Sequence, residues 1–221
     1  MTGRTVVLLG APGSGKGTLA HLLARWWGVP SISSGALLRA AAEGSNPAAA
    51  GLRALMNSGA LVGEKEINEV VTARLGETDV RSGFVLDGYP RTRSQASHLE
   101  SLINRLGLPA PVAIELVMSE PALKARLLSR QECIICGRVY NTLSRPPAHE
   151  DFCDDDGGFL IRRSDDNQAT ISKRFAVYYE TIGDLVAHSR ARWEYHRIDA
   201  NRSPADLLNA VEEKLGAPAT V

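Results

Sequence analysis

The sequence predicts an α/β protein: a P-loop three-layer fold, with helices covering both faces of a central parallel five-stranded sheet. Three observations predict it. Short apolar runs alternate with longer amphipathic stretches, the pattern of parallel strands joined by crossover helices. The run Val6-Val7-Leu8-Leu9 ends directly in Gly10-Ala11-Pro12-Gly13-Ser14-Gly15-Lys16-Gly17-Thr18, a strand–turn–helix arrangement that cradles phosphate. Two segments, 33–62 and 130–163, break the alternation and read as insertions at the carboxyl edge of the sheet, where ligands bind in such folds.

The elements follow in order. A first strand is expected over Thr5–Leu9. In the turn after it, Gly13, Ser14, Gly15 and Gly17 let backbone N–H groups converge on phosphate oxygens. Lys16 supplies a mobile cation for the β- and γ-phosphates, and Thr18 a hydroxyl near a metal. The pattern departs from G-x-x-x-x-G-K-[ST] in that Gly17 separates Lys16 from Thr18. These residues imply nucleoside triphosphate binding. Amphipathic periodicity then predicts helices over Thr18–Trp27, Glu64–Leu75 and Arg93–Leu106, and strands over Ser31–Ser33, Phe84–Asp87, Val112–Val117 and Tyr195–Asp199. The Ala-rich stretch 33–62 reads as helical with no strand to connect. Ser119 before Glu120-Pro121, and Ser203 before Pro204 with Asp206 three residues on, are helix starts. The end of the chain, from Gly216, reads as a loose tail.

Chemistry concentrates after the third strand and in the insertions. Asp87 ends an apolar run, as needed to hold magnesium or its water shell. Gly88-Tyr89-Pro90-Arg91 and Gln95 follow; Arg91 can grip a phosphate with two nitrogens, and the Gln95 amide can donate and accept along a purine edge. Arginines recur where a polyphosphate would lie: Arg126 and Arg130, four apart and expected on one helix face, then Arg163, Arg174 and Arg39. Phosphoryl transfer needs charge stabilisation, in-line positioning and exclusion of water, which converging arginines supply. Cys133-Ile134-Ile135-Cys136-Gly137 and Cys153-Asp154-Asp155-Asp156-Gly157 form two C-x₂-ligand-Gly knuckles. Their spacing reads as a zinc ribbon, with Cys133, Cys136, Cys153 and Asp156 as ligands and Asp154, Asp155 and His149 as competitors for the fourth place. Such a zinc would be structural, because protein fills all four positions.

Composition sets the outer limits. Lys+Arg and Asp+Glu both number 25 in 221 residues, so no net field favours nucleic acid or an anionic membrane. No apolar run approaches a membrane span, and the first residues lack a signal-peptide pattern, which predicts a cytoplasmic protein. Three cysteines argue against a disulfide framework.

Together the segments GAPGSGKGT (10–18), SSGALLR (33–39), ALV (60–62), GFVLDGYPRTRSQ (83–95), CIICGRVYN (133–141) and RRSDDNQATISKRF (162–175) closely resemble the adenylate kinases, in their long bacterial form with a zinc-bearing lid. The resemblance covers essentially the whole chain. It implies a core (1–32, 63–129 and 164–221), a nucleoside-monophosphate-binding insertion (33–62) and a lid (130–163). It implies a monomer carrying out Mg²⁺-dependent transfer between ATP and AMP, or between two ADP in reverse. It places Ser34, Arg39, Ala60, Leu61, Val62, Gly88, Arg91, Gln95, Arg163 and Arg174 around AMP. Gly13 to Thr18, Arg126, Arg130, Tyr140 and Arg202 fall around ATP. Lys16, Asp87, Arg91, Arg130, Arg163 and Arg174 serve the transfer itself. Ala36 stands where the family usually has Asp, Leu19 where Gln is frequent, and Ser34 where Thr is commoner. The alternatives are another nucleoside monophosphate kinase, with GTP as donor or CMP/UMP as acceptor, and a catalytically impaired nucleotide-binding regulator, to which Ala36 is the only pointer.

Overall fold

In the computed structural model, residues 4–216 are described; the expected tail beyond Gly216 lies outside them. The first strand, β1 (Arg4–Gly10), is the centre of the molecule. Its residues alternate between faces: Val7 and Leu9 enter one apolar cluster, Val6 and Leu8 another. All four are almost wholly buried, which is why the strand reads as a continuous apolar run. Strands β2 (Ser31–Ser33), β3 (Gly83–Asp87), β4 (Val112–Val117) and, last in the chain, β8 (Glu194–Asp199) complete a sheet in the order β2-β3-β1-β4-β8. Every pairing is parallel. Helix α1 (Lys16–Trp27) and α8 (Pro204–Leu215) cover one face. The other is covered by α4 (Glu64–Leu75), α5 (Arg93–Leu106) and part of α7 (Gln168–Arg192).

The expected strands and the three expected helices all form, with ends shifted by two residues at most. The sheet turns back at β1: the chain goes first toward β2 and later toward β4, so the loop after β1 opens at the point where strand order reverses. The stretch 33–62 is two helices, α2 (Ser34–Ala42) and α3 (Pro47–Ser58). Asn46 ends the break between them, its side chain accepting from Ala49 N with Pro47 next, a standard restart.

One expectation fails. Arg126 lies on α6 (Glu120–Leu128), but Arg130 begins β5 (Arg130–Cys133), so the two do not share a helix face. The helix stops because Ser129 Oγ donates back to Ala125 O at 2.6 Å and accepts from Asn141 Nδ2 at 2.7 Å. Its carbonyl then takes Thr142 N at 2.9 Å, which turns the chain into a second sheet. That sheet is antiparallel, in the order β6 (Val139–Asn141), β5, β7 (Leu160–Ile161). Its apolar core is only Cys133, Tyr140, Cys153 and Leu160. The Ser203 start behaves as its sequence implies, accepting from Asp206 N and donating to Asp206 Oδ2. Ser119 precedes α6 without a side-chain cap. Among the described residues no helix is long and apolar enough to cross a membrane.

Candidate active site

The loop after β1 forms the floor of a cleft of about 610 Å³, walled by α2, residues 59–62, the β3–α5 loop, the second sheet and residues 174–185 of α7. Its shape depends on glycine. Gly10, Gly13 and Gly15 have φ of 141°, 85° and 97°, where side chains are strained. Gly17 is different: its backbone is helical, and a Cβ there would meet Asp87 Oδ2 at 3.3 Å. Its missing side chain lets α1 approach the end of β3, which accounts for the extra glycine between Lys16 and Thr18.

Lys16 is partly buried, and its Nζ donates to Gly10 O at 2.7 Å and Ala11 O at 2.9 Å. Burial, against the pull of Asp87, pushes its pKa down to about 8, and Arg91, Arg174 and Arg130 push it further in that direction. Arg174 is lowered to about 10, by burial first and by Arg130 and Arg91 next, with Asp165 and Asp166 opposing. Burial lowers Arg91 and Arg39 as well. This is a cavity crowded with positive charge.

Three of its arginines are held from the side. Arg91 Nε donates to Gly88 O at 2.8 Å, Arg130 Nε to Asp166 Oδ2 at 2.7 Å, and Arg163 Nε to Glu132 Oε2. Arg130 makes a second bond, from NH2 to Asp166 Oδ1 at 2.5 Å. Arg174 NH1 reaches Asp165 at 3.1 Å. Holding a guanidinium by Nε fixes its plane and leaves terminal nitrogens for a ligand.

Nearly every residue expected at a site lines this one cleft: Gly13, Gly15 to Thr18, Ser34, Arg39, Ala60 to Val62, Asp87, Gly88, Arg91, Gln95, Arg126, Arg130, Tyr140, Arg163, Arg174 and Arg202. Ser14 does not; its side chain is fully buried beneath the loop. Tyr140 is 1 % exposed, its hydroxyl donating to Cys153 Sγ and accepting from Asp154 N, so it belongs mainly to the small core of the second sheet. Ser34 Oγ is buried without a hydrogen-bond partner. Gln95 Oε1 accepts from Arg91 N at 2.7 Å, which ties the two positions into one unit. Ala36 is exposed at the first turn of α2.

Sequence reasoning missed the anions. The sequence by itself assigns no role to Asp165, Asp166 or Glu132, yet each is paired with an arginine of the cleft. Adjacent aspartates just before the Asn167 cap of α7 were the available signal for the first two; a neutral chain with six converging cations needs such partners.

Beyond the cleft, Cys133, Cys136, Cys153 and Asp156 bring one donor atom each within 4.8 Å of all the others. Cys136 and Cys153 sulfurs are 3.6 Å apart, and Cys133 Sγ lies 3.2 Å from Asp156 Oδ1. A tetrahedral zinc with sulfur at about 2.3 Å requires edges of about 3.8 Å, so the set fits one ion with little adjustment. Of the competitors, Asp154 accepts from Ala148 N and Asp155 pairs with Arg138; Asp156 alone joins the cysteines.

A family model described as adenylate kinase matches residues 8–193. The chain is 38 % identical over 210 residues to the adenylate kinase of Pseudothermotoga lettingae, covering 95 % of this chain and 97 % of that one. It is 36 % identical to that of Thermodesulfovibrio yellowstonii, over 93 % and 96 % of the two chains. For the adenylate kinase of Bacillus subtilis the identity is 34 %, over 96 % and 97 %. With a phosphate loop, converging arginines and end-to-end similarity in agreement, the chain belongs to the adenylate kinase family, which makes it a nucleoside monophosphate kinase.

Proposed function

We propose that the protein catalyses reversible transfer of the γ-phosphoryl group of ATP to AMP, giving two ADP, as a cytoplasmic monomer. The carrying observation is one cleft in which Lys16, Arg39, Arg91, Arg130, Arg163 and Arg174 converge on a glycine-rich loop, in a chain similar end to end to adenylate kinases. The loop's N–H groups and Lys16 cradle the donor phosphates, with Arg126, Arg202 and an edge of Tyr140 beside the donor. The acceptor lies between Ser34, Arg39, residues 60–62, Gly88, Arg91 and Gln95. The unpartnered Ser34 hydroxyl supports this, since a buried donor without a partner is costly until a ligand satisfies it. Thr18 and Asp87 would hold magnesium, which when bound offsets charge on the β- and γ-phosphates. Arg130, Arg163 and Arg174 then stabilise the oxygens in flight, already oriented by their carboxylates. Segments 33–62 and 130–163 serve as acceptor-binding insertion and closing lid, excluding the water that would otherwise take the phosphoryl group. A coupled assay for ADP formation tests the proposal. ADP production that requires AMP supports it, and turnover only with CMP, UMP or GTP, or none at all, overturns it.

The lid's core of four residues is too small to hold itself, and zinc on Cys133, Cys136, Cys153 and Asp156 would supply what is missing. One zinc per chain is expected by metal analysis. Chelation should lower the melting temperature more than it lowers turnover, because the ligand set does not line the cleft. Asp156→Cys should keep the metal, thiolate being at least as good a zinc ligand. Metal-free protein of unchanged melting temperature would contradict the assignment.

Protonation offers a further check. Lys16 has a pKa of about 8 in the nucleotide-free fold and about 10.4 unfolded. The unfolded chain therefore holds more protons between these values, and the free protein should gain stability as pH rises from about 8 to about 10.4. Bound phosphate favours the ammonium form. Titration calorimetry near pH 9, in two buffers of different ionisation enthalpy, should show proton uptake on ATP binding, absent in Lys16→Ala.

A further inference from the structure

Glu132 belongs neither to the phosphate-binding set nor to the metal cluster that begins beside it at Cys133. Its carboxylate nonetheless joins both inserted segments. Oε2 accepts from Arg163 Nε, and Oε1 lies 3.8 Å from Arg39 NH2, on α2. The Glu132 and Arg163 side chains are 18 % and 19 % exposed, so the inner pair is largely removed from water. If charge were all that mattered, a carboxylate here would be a fault, because it competes with phosphate for two guanidinium groups. The geometry removes the conflict for Arg163, which is taken at Nε with its terminal nitrogens left for a ligand. Asp166 also takes Arg130 at Nε, and at NH2 as well. What distinguishes Glu132 is its second oxygen, which is turned across the cleft toward Arg39. The contact just beyond the lid's end, Ser164 Oγ to Asn57 Oδ1 at 3.0 Å, is uncharged.

We infer that Glu132 is a positioning residue that couples the two insertions, fixing Arg163 for transfer and drawing Arg39, with α2, toward the lid. Closure over the donor then favours closure over the acceptor. This rests on the donor and acceptor reading given above. A half-exposed ion pair contributes little by itself. Here the Glu132–Arg163 pair lies within the lid and fixes the carboxylate, whereas the Arg39 pair crosses between the segments and forms only when both are in place. That crossing pair therefore enters as an interaction free energy between the two nucleotide sites, equal in both directions.

The test is AMP affinity by calorimetry, alone and with saturating adenylyl imidodiphosphate, an ATP whose γ-phosphoryl group does not transfer. Wild type, Glu132→Ala and Glu132→Gln are compared, with kcat and KM from the coupled assay. In wild type the ATP analogue should tighten AMP binding. In Glu132→Ala that tightening should shrink about fivefold or more, with AMP affinity alone little changed. Its kcat should fall about ten- to a hundredfold as Arg163 loses its orientation. Glu132→Gln keeps an acceptor for Arg163 Nε but no charge for Arg39. It should regain part of kcat without regaining the tightening, a split that a merely structural role would not produce. Being nearly isosteric, it also carries the test if the alanine variant loses its fold or its metal. Tightening as strong in Glu132→Gln as in wild type overturns the inference. A wild-type protein that forms no ADP overturns the proposed reaction instead, so the two failures are distinguishable.

Discussion

Lys16→Ala should lower turnover by about a thousandfold while leaving a folded protein. Removing one preorganised donor from a developing oxyanion costs about 10²- to 10³-fold, and here the donor is a full charge. Burial first, and neighbouring arginines next, lower its pKa. In the free protein the ammonium bonds to the carbonyls of Gly10 and Ala11 and, at 3.5 Å, to Ser14 Oγ. Those bonds fill its donors until phosphate arrives. Losing them is opposed by relief of repulsion from Arg91, Arg130 and Arg174, so the melting temperature should move by a few degrees at most. The measurement is kcat/KM for both nucleotides beside a thermal melt. A folded Lys16→Ala protein with near-normal turnover would remove Lys16 from the transfer step.

The fold was legible because it rests on local signals. Val6–Leu9 is buried on both faces and so reads as an unbroken apolar run; Glu64–Leu75 and Arg93–Leu106 carry clear helical periodicity, and their observed ends match those expected. Arg130 was misplaced for a physical reason. Four-residue spacing after Arg126 suits a helix, but a tertiary bond from Asn141 to Ser129 helps end that helix early. Cations of the site could be listed from sequence, since arginines beside a phosphate loop have few other uses. Their anionic partners could not. Glu132 touches Arg39, 93 positions earlier, and Arg163, 31 positions later, and no period in the chain encodes such contacts. The departure at Ala36 has a plain local setting, an exposed position whose N–H is taken by the Ser33 cap.

Arg91→Ala should weaken use of AMP by about 10²- to 10³-fold in kcat/KM while ATP affinity changes little. Hydrogen bonds to charged groups are worth about 1.5–3 kcal/mol each, and a phosphate gripped by two terminal nitrogens loses both. Three features make this guanidinium stiff as well as charged. Its Nε is fixed to Gly88 O, its own N–H is held by Gln95, and desolvation in the cleft lowers its pKa. Gly88 makes the approach possible: with φ at 80°, a Cβ there would stand 2.7 Å from Ser34 Oγ and 3.4 Å from Arg91 NH2. Arg91, Ser34 and Gln95 are thus gathered at the end of β3, where the proposed reading puts the acceptor. Lysine in place of Arg91 should recover only part of the loss, because an ammonium restores charge without the two-pronged geometry. Separate binding isotherms for AMP and ATP decide the matter. If ATP lost affinity while AMP kept its own, the donor and acceptor sides of the cleft would have to be exchanged.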